Sequence, residues 1–290
     1  MTRTARAPAP IISAVVSDVD GTLVTDEKLL TESTKAAVQA LRRHEIAFSI
    51  ISSRPPRGVR MLIEALDIVV PFGGLNGGVI AAPDFSVISE HLLPRAVALR
   101  TIDMLTGNGM QAWLFTASDW VVRDASAPYV ALEQRTVAFA PTVVEDFAPF
   151  LNRTGKIVGV SADFDRLARC EDAVRAALAG QASVARSQPQ YLDVTHPRAN
   201  KGVALLAIAD LLSVQPREIA VIGDGGNDIA MFEQAGLSIA MGNASARVQG
   251  AADFVTTSNR ENGFANAIEH FILGRNDAVR IDSARAGAER

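Results

Sequence analysis

The chain has 290 residues, of which 48% are hydrophobic and 21% charged, with a net charge of −4 and a pI near 5.6. This length suffices for one large or two smaller globular domains, and the acidic balance argues against a nucleic-acid-binding protein. A single cysteine, Cys170, excludes an internal disulfide and is typical of a reducing compartment. No apolar run reaches the ~18 residues that a membrane helix needs. We therefore expect a cytoplasmic protein that contacts neither nucleic acid nor membrane.

The N-terminal part alternates between predicted strands and helices. We interpret residues 1–10 as a flexible leader. The predicted elements that follow are a strand at Ser13–Ser17, a helix capped by Thr31, a buried strand at Ile46–Ile51, a helix at Arg57–Leu66 and a short strand at Ile68–Pro71. This alternation predicts an α/β domain with a doubly wound parallel sheet.

The same alternation returns towards the C-terminus. The predicted elements there are a helix at Gly202–Leu212, a strand at Ile219–Ile222, a helix at Asp228–Ala235, a strand at Leu237–Ala240 and a helix at Gly263–Leu273. Residues 11–82 and 195–274 are therefore predicted to form one discontinuous core domain. Residues 275–290 form a polar tail without core-forming periodicity.

Residues 83–194 have a different character, because both tryptophans and both tyrosines lie there. Gln111–Thr116 and Trp120–Arg123 alternate as half-buried strands do, and Ala168–Leu178 has the periodicity of an amphipathic helix. These patterns predict an α+β domain inserted into the core domain. Since the insertion follows a strand of the first half, we expect it to act as a cap over the ends of the core strands.

Two acidic clusters follow two of the predicted core strands. Asp18 and Asp20 come directly after the first strand, and Asp224 and Asp228 follow the strand at Ile219–Ile222. Ligands bind beyond the carboxyl ends of parallel strands, so these carboxylates are predicted to surround one point. Such a cluster repels itself unless it holds a cation, and oxygen ligands suit Mg²⁺. We predict a Mg²⁺ ion held by Asp18 and Asp224.

Two further residues suggest an anionic ligand. Lys201 opens a predicted helix, where the helix dipole disfavours a cation by roughly 0.3–1 kcal/mol. It is either a solvated surface charge or the partner of a carboxylate or phosphate. Ser52 ends the second strand, where its hydroxyl either caps the following segment or binds an anion.

Together these residues predict phosphoryl transfer through a carboxylate nucleophile. Asp18 is the candidate nucleophile, because an aspartate can accept a phosphoryl group as an aspartyl-phosphate. Asp20 is the candidate general acid for the leaving oxygen and then the base for water. Mg²⁺ shields the phosphate from the carboxylates, while Lys201 and Ser52 supply positive charge and hydrogen-bond donors.

The motifs resemble those of the haloacid dehalogenase superfamily, in particular its Cof-type phosphatase branch with a large α/β cap. The similarity extends from about residue 12 to residue 273. The segments that carry it are Asp18–Leu23, Ser52 before Arg54 and Pro55, Asn200–Gly202, Gly223–Asp228, Asn76–Gly78 and Ala240–Ala244. The resemblance implies a Rossmann-like core with a cap inserted between the serine motif and the lysine motif.

The resemblance also implies roles for single residues. Mg²⁺ would contact the Asp18 carboxylate, the Asp20 backbone carbonyl and Asp224. The residues implied to bind phosphate are Val19 through its backbone, Ser52, Ser53, Lys201 and Asn227, with Asp228, Arg54 and Asn76 in supporting positions. The branch usually has Thr-Gly-Arg where this chain has Ser52-Ser53-Arg54, so Ser53 replaces a glycine in the turn beside the phosphate.

The predicted function is Mg²⁺-dependent hydrolysis of a small phosphorylated metabolite, a sugar phosphate or a phosphorylated cofactor, through an aspartyl-phosphate. A phosphomutase would share these residues but needs a second phosphate site in the cap, where the arginines are scattered. A non-catalytic phosphometabolite-binding module is disfavoured because Asp18 and Asp20 are both present. The sequence indicates neither the substrate, nor the cap residues that line a pocket, nor the oligomeric state.

Overall fold

The computed structural model describes residues 11–274 and residue 276, which form two compact units. The described residues up to Ile50 and from Leu205 onwards belong to the first unit, and Ile51–Ala204 form the second. The predicted leader and nearly all of the predicted tail lie outside the described residues. Asn276 is the exception, because its side-chain amide forms two hydrogen bonds of 2.9 Å with the backbone of Ile12.

The first unit is built on a five-stranded parallel sheet. Its strands are β1 (Ala14–Ser17), β2 (Ala47–Ile50), β12 (Ile219–Gly223), β13 (Leu237–Ala240) and β14 (Phe254–Val255), in the order β14-β13-β12-β1-β2. Its helices are α1 (Glu32–Arg43), α7 (Ile229–Phe232), α8 (Ala246–Gln249) and α9 (Gly263–Ala267), the last of which continues as a π-helix at Ile268–Leu273. A further helix, α6 (Lys201–Leu212), runs from the second unit into the first. The predicted α/β fold with a parallel sheet is confirmed.

Helix α1 illustrates how local sequence sets these elements. The Thr31 hydroxyl accepts a hydrogen bond from the Thr34 N–H at 3.2 Å, as the predicted N-cap requires. The helix carries an acidic residue in its first turn and basic residues in its last, which suits the helix dipole. Val38 and Leu41 lie one turn apart on its buried face. This face packs on the apolar side chains of the sheet.

The second unit contains two sheets. The six-stranded sheet has the order β10-β11-β9-β6-β7-β8, and the three-stranded sheet the order β3-β4-β5. The strands are β3 (Phe72–Gly74), β4 (Val79–Ala81), β5 (Val87–Glu90), β6 (Gln111–Phe115), β7 (Trp120–Val122), β8 (Thr142–Val143), β9 (Lys156–Val160), β10 (Ser183–Gln188) and β11 (Tyr191–Thr195). The helices are α2 (Arg60–Ala65), α3 (Arg95–Gly107), α4 (Val130–Val137) and α5 (Phe164–Ala177).

The inner strands of the six-stranded sheet are buried on both faces, whereas the edge strands β8 and β10 are mostly exposed. On β6, Ala112 and Leu114 belong to one apolar core with residues of α3 and α5, whereas Trp113 and Phe115 belong to a second, aromatic core. This division follows from the period of two in a strand, which sends successive side chains to opposite faces. The strands predicted within Gln111–Thr116 and Trp120–Arg123 are confirmed, and the helix predicted at Ala168–Leu178 begins earlier, at Phe164.

The prediction of a strand at Ile68–Pro71 is wrong. Strand β3 begins at Phe72 instead, and it pairs with β4 in antiparallel orientation. Asp67 has a positive φ of 49°, the Val69 side chain is 71% exposed and Pro71 lacks the N–H that a strand ladder uses. The turn after α2 therefore occupies the residues whose apolar character suggested a strand.

Two predicted helices differ in their ends. The helix predicted at Arg57–Leu66 starts as a 3-10 helix at Pro56–Val59 before α2, and α7 is shorter than the predicted Asp228–Ala235.

The predicted boundaries of the inserted domain, at residues 83 and 194, both lie within the second unit and stay a prediction. Among the described residues, no helix combines the length and the apolar character needed to span a membrane.

Candidate active site

Three carboxylates meet at one end of the parallel sheet in the first unit. Asp18 directly follows β1, and Asp224 and Asp228 follow β12. Strands β1 and β12 are parallel neighbours, with Ser17 paired to Ile222, so their carboxyl ends lie side by side. One oxygen from each of the three carboxylates lies within 4.8 Å of the others. The predicted convergence of the two acidic motifs is therefore present, with Asp18 and Asp228 buried.

The turn after β1 brings the chain against Asp224. The Val19 carbonyl accepts hydrogen bonds from the N–H groups of Leu23 at 2.9 Å and Val24 at 3.1 Å, which closes the turn. Gly21 has a φ of 85°, and a Cβ there would lie 2.3 Å from Asp224 Oδ2. Only glycine combines this backbone conformation with so close an approach.

Asp224 is oriented by two side chains that the sequence did not single out. Thr22 Oγ1 donates to Asp224 Oδ1 at 2.9 Å. Asn243 Nδ2 donates to Asp224 Oδ2 at 3.2 Å and to the Gly21 carbonyl at 2.9 Å. Thr22 and Asn243 both lie inside segments that carry the family resemblance. The sequence therefore pointed to these segments, but not to the contacts of these two side chains with Asp224.

A second layer of hydrogen bonds holds Asn243. The Asn259 N–H donates to Asn243 Oδ1 at 3.0 Å, and Asn259 Nδ2 donates to the Val24 carbonyl at 3.2 Å and to Asp26 Oδ1 at 3.1 Å. The Asn259 amide, together with the Arg260 guanidinium, holds the pKa of Asp26 below its usual range. No pattern in the sequence marked Asn259, because its hydrogen bonds to Val24 and Asp26 join residues more than two hundred positions apart.

Asp228 shapes the turn that carries Asp224. Asp228 Oδ2 accepts hydrogen bonds from the backbone N–H groups of Asp224 at 2.9 Å and Gly225 at 2.8 Å. A Cβ at Gly225 would lie 2.4 Å from Asn227 Oδ1, so the Asn227 side chain folds over this turn. These contacts are consistent with the supporting position expected for Asp228.

Asp20 stands apart from the three clustered carboxylates. Its Oδ1 lies 2.7 Å from Lys28 Nζ, in a partly exposed ion pair whose side chains are 24% and 31% exposed. No sequence pattern singled out Lys28, which has a positive φ of 65° in the loop before α1. This contact fixes the direction of the Asp20 carboxylate.

The donor set of the cluster fits a divalent cation. Negative charges within 4.8 Å of one another repel, and this repulsion is largest where the groups are shielded from water. Carboxylate oxygens are the preferred ligands of hard cations such as Mg²⁺. Asp18, Asp224 and Asp228 each offer an oxygen that could hold such an ion. Asp228 Oδ2 also accepts two backbone hydrogen bonds, and the two oxygens of Asp224 accept hydrogen bonds from Thr22 and Asn243.

The predicted serine motif lies in the second unit, beside Asn76. The Ser52 carbonyl accepts a hydrogen bond from the Asn76 N–H at 2.8 Å, and the Arg54 carbonyl accepts one from the Leu75 N–H at 2.8 Å. Ser52 Oγ accepts from the Arg54 N–H at 3.1 Å. Ser52–Arg54 and Asn76 therefore form one hydrogen-bonded pair of turns.

The beginning of α6 packs on the same turns. Lys201 opens α6 and its side chain is buried. Gly77 has a φ of 85°, and a Cβ there would lie 2.8 Å from the Asn200 carbonyl oxygen and 2.5 Å from the Ala204 Cβ. The predicted residues thus form two groups, one in each unit. The first unit holds Asp18, Val19, Asp20, Asp224, Asn227 and Asp228, and the second holds Ser52, Ser53, Arg54, Asn76 and Lys201.

Comparison with known proteins decides the family. The model of the haloacid dehalogenase-like hydrolases matches residues 15–268. The chain belongs to this family. The resemblance inferred from the motifs is confirmed, and the protein is a hydrolase of the haloacid dehalogenase type.

Individual relatives align along nearly their whole length. A putative phosphatase of Haemophilus influenzae is 28% identical over 262 residues, which cover 88% of this chain and 97% of the relative. A 5-amino-6-(5-phospho-D-ribitylamino)uracil phosphatase of Bacillus subtilis is 25% identical, with 90% of this chain and 96% of the relative covered. The crystal structure of a haloacid dehalogenase-like hydrolase from Bacteroides thetaiotaomicron matches with a TM-score of 0.83 at 27% identity, covering 90% of this chain and 99% of that one.

Proposed function

We propose that this hydrolase is a Mg²⁺-dependent phosphatase that releases inorganic phosphate from a small phosphorylated metabolite in the cytoplasm. The observation that carries the proposal is the cluster of Asp18, Asp224 and Asp228 at the ends of the paired strands β1 and β12. A structural turn does not need three carboxylates within 4.8 Å of one another, whereas phosphoryl transfer through an aspartyl-phosphate does need positive charge next to the carboxylate nucleophile. The relatives named as phosphatases support the same interpretation.

The reaction proceeds in two steps on Asp18. Its carboxylate attacks the phosphorus atom, and the bond between phosphorus and the leaving oxygen breaks as an aspartyl-phosphate forms. Asp20 gives its proton to the leaving oxygen and then takes one from the water that cleaves the aspartyl-phosphate. Lys28, 2.7 Å from Asp20, orients this side chain and pairs with its carboxylate once the proton has passed to the leaving oxygen. When bound, Mg²⁺ supplies positive charge that offsets the repulsion between phosphate and carboxylates.

Phosphate binding by Ser52, Ser53, Lys201, Asn227 and the Val19 N–H is part of the proposal. Two features support the role of Lys201: it is buried, and it opens α6, where the helix dipole disfavours a cation. A phosphate beside this ammonium group would add a favourable interaction between opposite charges. The hydrogen-bonded turns at Ser52 and Asn76 would add donors whose positions are fixed before the substrate binds.

The substrate class that we propose is a phosphate monoester of a small polyhydroxylated compound, either a sugar phosphate or a phosphorylated cofactor. One relative is named for a phosphorylated ribitylamino compound, so ribityl phosphates belong in the first substrate panel. A phosphomutase would use the same carboxylates but would return an isomer of its substrate. The same panel separates the two reactions, because a mutase releases no net phosphate.

The test compares the unsubstituted protein with Asp18→Asn on this panel and on para-nitrophenyl phosphate, with Mg²⁺ or with EDTA. We expect Mg²⁺-dependent phosphate release that Asp18→Asn lowers by roughly 10³-fold or more, since an amide cannot act as nucleophile. Asp210→Asn, which changes an exposed carboxylate on α6, is the matched control and should keep its activity. Residual activity of Asp18→Asn within tenfold of the unsubstituted protein would contradict the covalent mechanism.

A further inference from the structure

A buried lysine in the six-stranded sheet contacts the serine motif. Lys156 is the first residue of β9, and its side chain is 7% exposed. Its Nζ donates a hydrogen bond of 3.1 Å to the Ser53 carbonyl oxygen. The same atom lies 3.7 Å from Asp193 Oδ2 and 4.9 Å from the centre of the Phe115 ring. An ammonium group from the predicted cap thus reaches the turn that we propose to bind phosphate.

Strand register puts these side chains together. Lys156 pairs with Phe115 on β6 and with Thr195 on β11. Asp193 is two residues before Thr195, so it shares the face of β11 that Lys156 occupies on β9. Gly155, next to Lys156, approaches the other turn of the motif, because a Cβ there would lie 2.7 Å from Leu75 Cδ1. The end of β9 is therefore packed against both turns.

Stability alone does not account for the pair. Removing two charges from water has a cost that the attraction of a buried pair often fails to repay, so apolar side chains of similar size serve packing equally well. The separation of 3.7 Å between Lys156 and Asp193 also exceeds hydrogen-bond distance. By contrast, the bond to Ser53 is well within that distance. Asp193 is fixed separately by Ser187 Oγ, which donates to its Oδ1 at 3.1 Å.

We propose that Lys156 is a positioning residue that fixes the phosphate-binding turn Ser52–Arg54 through the Ser53 carbonyl, with Asp193 limiting the positive charge that this lysine presents there. The inference rests on the proposed function in one respect, the binding of phosphate by that turn. The inference assigns one effect on phosphate binding to Lys156 and the opposite effect to Asp193. Loss of Lys156 weakens phosphate binding, because the turn loses the hydrogen bond to the Ser53 carbonyl and a nearby positive charge. Loss of the Asp193 charge strengthens phosphate binding, because the ammonium is no longer neutralised.

The experiment measures the binding of inorganic phosphate by calorimetry in the presence of Mg²⁺, so that the readout does not depend on turnover. We expect Lys156→Met to raise the dissociation constant about tenfold or more, and Asp193→Asn to lower it about threefold. Lys156→Arg should recover part of the affinity, since it keeps a donor and a charge. The matched control is Glu171→Gln on α5, which removes a carboxylate paired with Arg175 and Arg186 in the same unit. It should leave the constant within about twofold.

Opposite signs for Lys156→Met and Asp193→Asn support the inference, because a pair that only stabilises the fold would weaken binding in both variants. Equal effects of the two variants, or no effect of either, would overturn it. If Lys156→Met unfolds, the double variant Lys156→Met with Asp193→Leu replaces it and should show the same weak binding. Hydrolysis of para-nitrophenyl phosphate is measured in parallel. If the variants show the predicted changes in phosphate binding but the protein hydrolyses nothing, only the phosphatase proposal is contradicted. If the protein hydrolyses para-nitrophenyl phosphate normally but the predicted binding changes are missing, only this inference is contradicted.

Discussion

The two units place carboxylates in opposite electrostatic surroundings. In the first unit, Asp18, Asp224 and Asp228 place like charges within 4.8 Å of one another. In the second unit, Asp193 faces the ammonium group of Lys156 at 3.7 Å. The first arrangement fits a divalent cation among its oxygens, whereas the second already joins opposite charges. We therefore expect the like-charge cluster to respond to cations, and the pair of opposite charges to respond to the loss of either partner.

Removal of one charge from the cluster of Asp18, Asp224 and Asp228 should have the largest effect. Asp224→Asn should lower Mg²⁺-dependent turnover by about 10²-fold or more, because the cation loses a charged ligand. The rise in unfolding temperature that Mg²⁺ gives the unsubstituted protein, worth ~2.7 kcal/mol at a hundred times the dissociation constant, should also disappear. Without metal, the variant should unfold at a higher temperature than the unsubstituted protein, because the carboxylate repulsion is smaller.

Thermal unfolding with and without Mg²⁺ checks this expectation, with Asp210→Asn as the control for loss of one exposed carboxylate. An Asp224→Asn variant that Mg²⁺ stabilises as much as the unsubstituted protein would show that the cation binds elsewhere.

Substitutions in the pair of Lys156 and Asp193 should change the free energy of unfolding in a different way. Asp193→Leu leaves the buried Lys156 ammonium without its carboxylate and should lower the free energy of unfolding by about 3–5 kcal/mol. The double variant Lys156→Met with Asp193→Leu should come within about 1 kcal/mol of the unsubstituted protein, because no unpaired charge remains. Chemical denaturation of the single and double variants measures both. A double variant as unstable as the single one would mean that the pair contributes directly to folding.

The same contrast explains what the sequence predicted. Asp18 and Asp224 follow strands whose apolar runs are plain in the sequence, and parallel strands bring their carboxyl ends to one edge. Two local motifs and one topological rule therefore sufficed for the acidic cluster. Lys156 and Asp193 are close only because β9 and β11 pair in one particular register, and register depends on the packing of whole strands.

The errors have a similar cause. Ile68–Pro71 has the composition of a buried strand, yet Asp67 takes a positive φ and β3 starts only at Phe72. Asn259, which orients Asn243, belongs to a loop without any periodic pattern. Long-range hydrogen bonds of this kind leave no local trace in composition. The fold class and the acidic cluster were thus predictable, whereas the residues that orient Asp224 were not.

A smaller effect is expected at Gly21, where backbone conformation and crowding coincide. Gly21→Ala should lower the free energy of unfolding by about 1–3 kcal/mol and weaken Mg²⁺ binding, because the new Cβ would displace the Asp224 carboxylate. Gly180 is a matched control, since its φ of 74° is similar but a Cβ there would meet no atom within 4 Å beyond its chain neighbours. The difference between Gly21→Ala and Gly180→Ala, measured by denaturation with and without Mg²⁺, isolates the contact with Asp224. Equal Mg²⁺ affinity in both variants would contradict the role of this turn.

The smallest effect concerns the aromatic core of the second unit. Among the described residues, no group is well oriented to form a hydrogen bond with the buried hydroxyl of Tyr191, although Gln190 and the Glu133 carboxylate lie nearby. Burial and the nearby Glu133 carboxylate raise the pKa of Tyr191 above its usual value of 10.0. At neutral pH, Tyr191→Phe should therefore change the free energy of unfolding by less than about 1 kcal/mol, because the removed hydroxyl leaves behind no well-oriented hydrogen-bond partner.

The stabilities of the unsubstituted protein and of Tyr191→Phe should differ at alkaline pH. Above about pH 10 the unfolded chain loses the Tyr191 proton that the folded chain retains, so the unfolded state is favoured as the pH rises. The unfolding temperature of the unsubstituted protein should then fall more steeply above pH 10 than that of Tyr191→Phe. Tyr129→Phe, on the partly exposed ring that packs against Tyr191 at 6.1 Å, should follow the unsubstituted protein. If Tyr191→Phe instead destabilises the fold by more than about 2 kcal/mol at neutral pH, the hydroxyl has a bound partner, and the aromatic core contains a polar contact such as an ordered water molecule.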